Sequence, residues 1–225
     1  MDSKGKTVGI IIWIDKENCL EWISQAYIKA IENTNNSRVI LIPANTKHRW
    51  WYLDSLEFFM LPWWQTDIDP LLYWEKNTAS NWTDQSKDLI LIERIKEIQI
   101  RNKKLLGICR WMQLINVAFW GTLIQDLPDT KYSFDDIHSI DIKKDSLLYH
   151  YYKSNHIMVN SLHHQGIKKL WIGLISTWLN NNWIIEAIES ENGNIIGVQR
   201  HPEYWKQNQS LFEGFLDNIS SKSID

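Results

Sequence analysis

The feature that most constrains this chain is an abrupt step from buried strand to helix. Leu105-Leu106-Gly107-Ile108 is a short apolar run, Cys109 stands directly after it, and Arg110–Phe119 then takes helical spacing through Met112, Ile115, Asn116 and Phe119. A continuous apolar run bounded by polar residues reads as a strand covered on both faces, and such strands belong to parallel sheets flanked by helices. The alternation recurs. Val8–Ile14 is another run, followed by helical spacing over Leu20–Ile31 (Leu20, Ile23, Tyr27, Ile31). Arg38–Ile42 is predicted as a strand ending at Pro43, and Leu53–Leu61 as a third closing at Pro62. A polar connection, 75–85, leads to a predicted helix over 86–101. Ile184–Ile188 and Asn194–Val198 flank Asn192-Gly193, a hairpin signal, and Leu211–Ile219 is predicted as a terminal helix. The stretch 131–156 shows no clear period and is expected as loops and short strands. The expected fold is α/β, with a mostly parallel central sheet and helices on both faces, in one domain spanning 1–225.

Composition narrows the function classes. Hydrophobic residues are 44 % and charged residues 23 %, ordinary for a soluble globular chain. A net charge of −3 without a Lys/Arg run argues against a nucleic-acid partner. Val8–Ile14 is too short to span a membrane and lacks a small-residue cleavage site. The two cysteines, Cys19 and Cys109, lie in unrelated contexts, which argues against a disulfide framework and for a reduced, cytoplasmic setting.

A nucleophile placed where a buried strand turns at once into a helix forms an elbow. The side chain stands above the sheet edge, and the helix N-terminus behind it favours a thiolate at Cys109. The backbone N–H of Arg110 is then free to face a developing oxyanion. Far downstream lies Gly197-Val198-Gln199-Arg200-His201-Pro202-Glu203. Pro202 biases His201 toward extended backbone, and residues two apart in extended chain share a side, so Glu203 can orient the His201 ring. Each element alone has a plainer reading, a core cysteine and a surface loop; the pair together supplies a nucleophile, a base and an orienting acceptor.

Gly107-Ile108-Cys109-Arg110-x-Met112-Gln113 followed by Gly-Val-Gln-x-His-Pro-Glu resembles the class I glutamine amidotransferase-like family. Cys109–Leu127, Asn160–Gln165 and Asp67–Tyr73 are similar to its γ-glutamyl-γ-aminobutyrate hydrolase branch, the peptidase C26 type, over roughly residues 7 to 203. The resemblance implies a flavodoxin-like α/β fold and a Cys109–His201–Glu203 triad acting on a γ-glutamyl amide through a thioester. It implies oxyanion donors at the backbone of Arg110 and Trp64, and substrate contacts from Gln113, His163, His164 and Gln165. No cofactor and no metal are implied. The expected partner is a small-molecule γ-glutamyl substrate, without nucleic acid or membrane; a homo-oligomer is compatible with the sequence and not specified by it. A glutaminase subunit that passes ammonia to a synthase is the alternative enzyme. The Asn160–Gln165 and Asp67–Pro70 motifs favour the hydrolase branch. Arg200 stands where an aromatic is common in the family and is expected to bear on leaving-group preference, and the loop after Pro62 runs one residue longer than the family pattern.

One departure is systematic. The chain has 14 Trp and only 9 Gly. Trp63, Trp64, Trp74, Trp111, Trp120 and Trp183 stand where the family has glycine. Glycine serves there for steric reasons, and tryptophan does not tolerate such backbone. The expectation is that these are glycines encoded by UGA and decoded as tryptophan, with Trp82 and Trp171 as further candidates. Six restored glycines bring glycine to about the usual 7 %. If the tryptophans are instead real, Trp111 and the Trp63-Trp64 pair block the oxyanion hole, and the chain is a catalytically dead γ-glutamyl-binding homologue.

Overall fold

The computed structural model describes residues 5–14, 23–45, 50–62, 66–128, 133–180 and 183–217. The first half of the chain runs β1 (Thr7–Ile12), α1 (Gln25–Glu32), β2 (Arg38–Pro43), α2 (Trp50–Ser55), β3 (Phe58–Leu61), α3 (Gln85–Ile100) and β4 (Lys104–Ile108). Then come α4 (Arg110–Ala118), β5 (Thr122–Ile124), β6 (Ser133–Ile142), α5 (Leu147–Tyr152), β7 (His156–Ser161) and β8 (Gly166–Lys169). The chain closes with β9 (Leu174–Asn180), β10 (Ile185–Ser190), β11 (Ile195–Val198) and α6 (Gln209–Leu216).

Nine strands form one sheet in the order β2-β1-β3-β4-β11-β10-β9-β6-β7, while β5 and β8 pair apart from it. From β2 to β11 every pairing is parallel. From β11 to β7 every pairing is antiparallel. The continuous apolar runs fall in the parallel half: β3 and β4 are buried at every position. Alternation then sorts side chains between two cores. Val8, Ile10, Phe58, Met60, Leu106 and Ile108 face α1, α5 and α6, where Phe58 meets Phe215 edge-on at 5.6 Å. Ile11, Phe59, Leu61 and Leu105 face α2, α3 and α4. At about 1.5–3 kcal/mol for each large apolar side chain fully buried, these two layers carry the sheet.

Several expectations shift. The predicted strand Leu53–Leu61 divides, because Trp50–Ser55 is helical and only Phe58–Leu61 joins the sheet. Leu53 and Leu56, three residues apart, both reach the second core, which a short apolar run cannot distinguish from strand burial. Helix α1 starts at Gln25 because Ser24 caps it, its Oγ accepting from the Ala26 N–H at 3.3 Å. The predicted start at Leu20 lies outside the described residues, as does the predicted end of the terminal helix at Ile219; α6 ends at Leu216 with Asp217 as its C-cap. The unreadable stretch 131–156 contains a long strand, β6, and helix α5. The hairpin forms as expected, with Gly193 at φ 69° in its turn and Ile188 opposite Gly197.

Tryptophan supplies four of the nine described non-glycine residues with positive φ. Trp74 (φ 62°), Trp82 (φ 56°), Trp120 (φ 72°) and Trp183 (φ 63°) lie in the left-handed region, whereas the only described glycines with positive φ are Gly173 and Gly193. A left-handed conformation costs an L-residue about 1–2 kcal/mol, hence roughly 4–8 kcal/mol for four. The net stability of a whole domain is only about 5–15 kcal/mol. Trp111 has ordinary helical backbone in α4 and is fully buried, its indole N–H donating to the Pro62 carbonyl. Trp63 and Trp64 lie outside the described residues.

Candidate active site

The site lies at the carboxyl ends of β4 and β11, the adjacent parallel strands in the middle of the sheet, where open α/β sheets place their ligands. β4 ends at Ile108, and Cys109 turns the chain into α4 with φ 56° and ψ −112°. That is the strained elbow the strand-to-helix step requires. Its backbone N–H donates to the Val198 carbonyl at 2.7 Å, tying the elbow to β11. Arg110 is the first residue of α4, so its N–H has no acceptor within the helix. The second donor expected from sequence, the backbone of Trp64, lies outside the described residues.

β11 runs directly into Gln199, Arg200 and His201, all without solvent contact. His201 Nδ1 lies 2.9 Å from Glu203 Oε1. Nδ1–H donates to that carboxylate, which leaves Nε2 for Cys109, and the His201 ring is electrostatically coupled to the Cys109 sulfur. Burial alone would push the imidazole pKa down. The attraction to Cys109 and the hydrogen bond to Glu203 outweigh it and raise the pKa to about 10. The His201 ring is therefore protonated at neutral pH.

Two residues inside the sequence motifs take parts that spacing did not assign. Gln199 donates from Nε2 to Cys109 Sγ at 3.5 Å and accepts from Gln113 Nε2 at 3.0 Å. Asn160 accepts from the His201 N–H at 3.0 Å and donates to the His201 carbonyl at 3.3 Å. Gln199 thus supports the sulfur, and Asn160 clamps the backbone that carries the imidazole. Motif membership was the only sequence signal for either, because both contacts cross about 40 residues or more of chain.

A cavity of about 430 Å³ opens in front of the sulfur, lined by Cys109, Arg110, Gln113, His163, His164 and Gln165, with Asp67 and Trp82 on its wall. The predicted substrate-contacting residues are thus gathered at one place. Their side chains are also occupied structurally. Gln113 donates to the Gln165 carbonyl at 2.9 Å, and Gln165 donates to Ser80 Oγ at 2.8 Å. His163 Nδ1 donates to the Gln165 carbonyl at 2.9 Å, and its Nε2 lies 3.8 Å from Glu186; burial holds its pKa down. His164 differs: its hydrogen bond to Asp67 at 2.8 Å, with Asp126 at 3.3 Å, raises its pKa. The expectation for Arg200 is corrected. Neighbours in extended chain point to opposite sides, so Arg200 turns away from the cavity and packs against Tyr152 and Trp178, 5.0 Å and 4.8 Å from their ring centres. It cannot touch a leaving group there. Among the described residues no three His, Cys, Asp or Glu side chains are placed to hold a metal ion, and no helix is long and apolar enough to cross a membrane.

The chain is 32 % identical over 215 residues to a protein of Lactococcus lactis subsp. lactis named as glutamine amidotransferase-like, YvdE, covering 89 % of this chain and 90 % of that one. It is 26 % identical over 184 residues to the γ-glutamyl-γ-aminobutyrate hydrolase PuuD of Escherichia coli, covering 73 % and 72 %. Among solved structures, a glutamine amidotransferase from Thermotoga maritima superimposes with a TM-score of 0.65 at 13 % identity, over 99 % of this chain and 87 % of that one, which shows the shared fold. The profile of the Peptidase C26 family matches residues 13–203, from the end of the first strand to the carboxylate beside His201, and the chain belongs to that family.

Proposed function

We propose that this protein is a cysteine hydrolase of γ-glutamyl amides, with Cys109 as nucleophile, His201 as acid and base, and Glu203 as the orienting carboxylate. The observation that carries the reading is the line Glu203–His201–Cys109 beside the cavity, in which His201 is hydrogen-bonded to Glu203 and electrostatically coupled to the Cys109 sulfur. The Cys109 thiolate attacks the γ-carbonyl carbon, and the carbonyl oxygen takes up negative charge facing the Arg110 N–H. His201 gives its proton to the leaving nitrogen as the C–N bond breaks, leaving a γ-glutamyl thioester and a free amine. Water then attacks the thioester while His201 takes its proton. Glutamate leaves, and Cys109 is regenerated. The likeness to PuuD, a γ-glutamyl-γ-aminobutyrate hydrolase by name, supports a γ-glutamyl amine as substrate. The Gln199 hydrogen bond to sulfur supports the anionic thiolate.

Protein purified from its own organism, incubated with γ-glutamyl-γ-aminobutyrate or a γ-glutamyl polyamine, releases amine and glutamate in equal amounts. Acid quench traps a γ-glutamyl adduct on the peptide containing Cys109. Turnover of glutamine only with a partner enzyme would make the chain the glutaminase half of a synthase, and no turnover of any γ-glutamyl amide would make it a binding homologue.

Glu203→Gln keeps the shape and removes the charge. It lowers kcat/KM by about 10²–10⁴-fold, since an amide no longer selects the imidazole tautomer that presents Nε2 to sulfur. Glu203 is one of the groups that raise the His201 pKa, so the variant loses part of that support. The alkaline limb of its pH–rate profile therefore moves to lower pH. An unchanged limb would show that Glu203 does not act on His201.

A further inference from the structure

Four tryptophans share two independent properties. Trp74, Trp82, Trp120 and Trp183 all have left-handed backbone. Among the described residues, the same four are the tryptophans that are exposed large hydrophobics, at 64 %, 85 %, 54 % and 81 % of full exposure. Tryptophan ordinarily earns its place by burial, and left-handed backbone is what glycine alone adopts without penalty. These residues thus have the wrong side chain for their environment and for their own backbone.

Local hydrogen bonding shows what belongs there. Helix α4 ends in a reciprocal pair: the Gly121 N–H donates to the Asn116 carbonyl at 2.8 Å and the Trp120 N–H to the Val117 carbonyl at 2.9 Å. That is the Schellman stop, whose left-handed position is characteristically glycine, and Trp120 occupies it. The short turn Pro70–Tyr73 ends the same way, with the Glu75 N–H on the Pro70 carbonyl at 3.0 Å, the Trp74 N–H on the Leu71 carbonyl at 3.3 Å, and Trp74 in the left-handed position. Two separate helix stops are therefore complete in these hydrogen bonds and carry tryptophan where the motif calls for glycine.

Other tryptophans behave as tryptophan should. Trp178 is fully buried and stacks edge-on with Tyr152 at 5.5 Å. Trp13 and Trp171 pack against the core layer of α2–α4, and neither has positive φ. Trp171, a candidate on sequence grounds, therefore leaves the set, and Trp82 joins it. Catalytic strain does not account for three of the four: Cys109, also at positive φ, has a chemical reason for its backbone, whereas Trp74, Trp120 and Trp183 are not on the cavity wall.

We infer that residues 74, 82, 120 and 183 are glycine in the protein its organism makes, and that the organism's gene uses UGA at these positions as a glycine codon. One codon with a reassigned meaning explains why the affected residues agree in steric demand although only Trp74 and Trp120, whose rings stack at 5.4 Å, are neighbours. UGA differs from the glycine codon GGA in its first base alone, and it reads as tryptophan under some genetic codes. At the active site the consequence falls on Trp82: glycine there removes an indole from the cavity wall and widens the pocket beside His164 and Asp67. The inference stands apart from the hydrolase reading and would survive its failure.

The test reads the gene at codons 74, 82, 120 and 183 against codons 13, 171 and 178. UGA at all four and UGG at the other three is the expected result. UGG at any of the four, or UGA throughout, overturns the inference. Peptide mass spectrometry of the protein isolated from its own organism gives the second reading: peptides spanning 74 and 82 carry the glycine mass, and the tryptophan mass at either position overturns it independently.

Discussion

Cys109→Ala lowers the hydrolysis of a γ-glutamyl amine by about 10⁶-fold, to the background left by the oxyanion donors and substrate binding alone. The size of the effect follows from geometry. Cys109 is the sulfur at the elbow, it is held by Gln199 and electrostatically coupled to His201, and the cavity opens onto it. Alanine leaves the pocket but no atom able to form the thioester. His201→Ala costs a similar factor, because a thiolate without its imidazolium partner has no proton to give the leaving amine. The double variant is little worse than either single one, since the two act as a unit. Rates for the three variants by amine release, with circular dichroism to show that the fold is intact, decide the matter. Cys109→Ala activity within tenfold of the parent protein would remove the thioester mechanism.

Converting Trp74, Trp82, Trp120 and Trp183 together to glycine stabilises the tryptophan-containing protein. Relief of left-handed strain contributes about 1–2 kcal/mol per site, and the greater freedom of glycine in the unfolded chain takes back about 0.4–1 kcal/mol of it. The net gain is about 2–4 kcal/mol, or roughly 4–16 °C in Tm for a domain of this size. The sign matters more than the value. Gly substitution at positions with ordinary backbone destabilises, so a control at half-buried Trp171, which packs on the core layer of α2–α4, lowers Tm. Calorimetry of the fourfold variant and the Trp171→Gly control gives opposite shifts. A fourfold variant less stable than its parent would mean that the indoles contribute packing that outweighs their backbone strain.

Much of this protein was legible in its residues alone. The strand-to-helix step at Cys109 is a local property that local stereochemistry settles, and the hairpin at Asn192-Gly193 was legible for the same reason. Glu203, by contrast, meets the His201 ring through a 3-10 turn over Pro202–Tyr204 and not through the extended chain expected. What failed were short apolar segments, where Leu53–Leu61 hid a helix, and the stretch 131–156, whose strand β6 is held by pairing with β7 and β9 rather than by its own pattern. Strand pairing of that kind is long-range, so no window of residues displays it.

The sequence by itself determined the α/β alternation, the elbow, the family, and the excess of tryptophan over glycine. Only the tertiary structure decided that Gln199 reaches the Cys109 sulfur, that Asn160 clamps His201, and that Arg200 turns away from the cavity. It also divided the tryptophans, because φ and exposure are set by how each residue is folded and packed, and residue identity alone carries neither. The physical reason is one of range: backbone preference acts over a few residues, while hydrogen-bond partners and burial depend on segments that meet only once the sheet has formed.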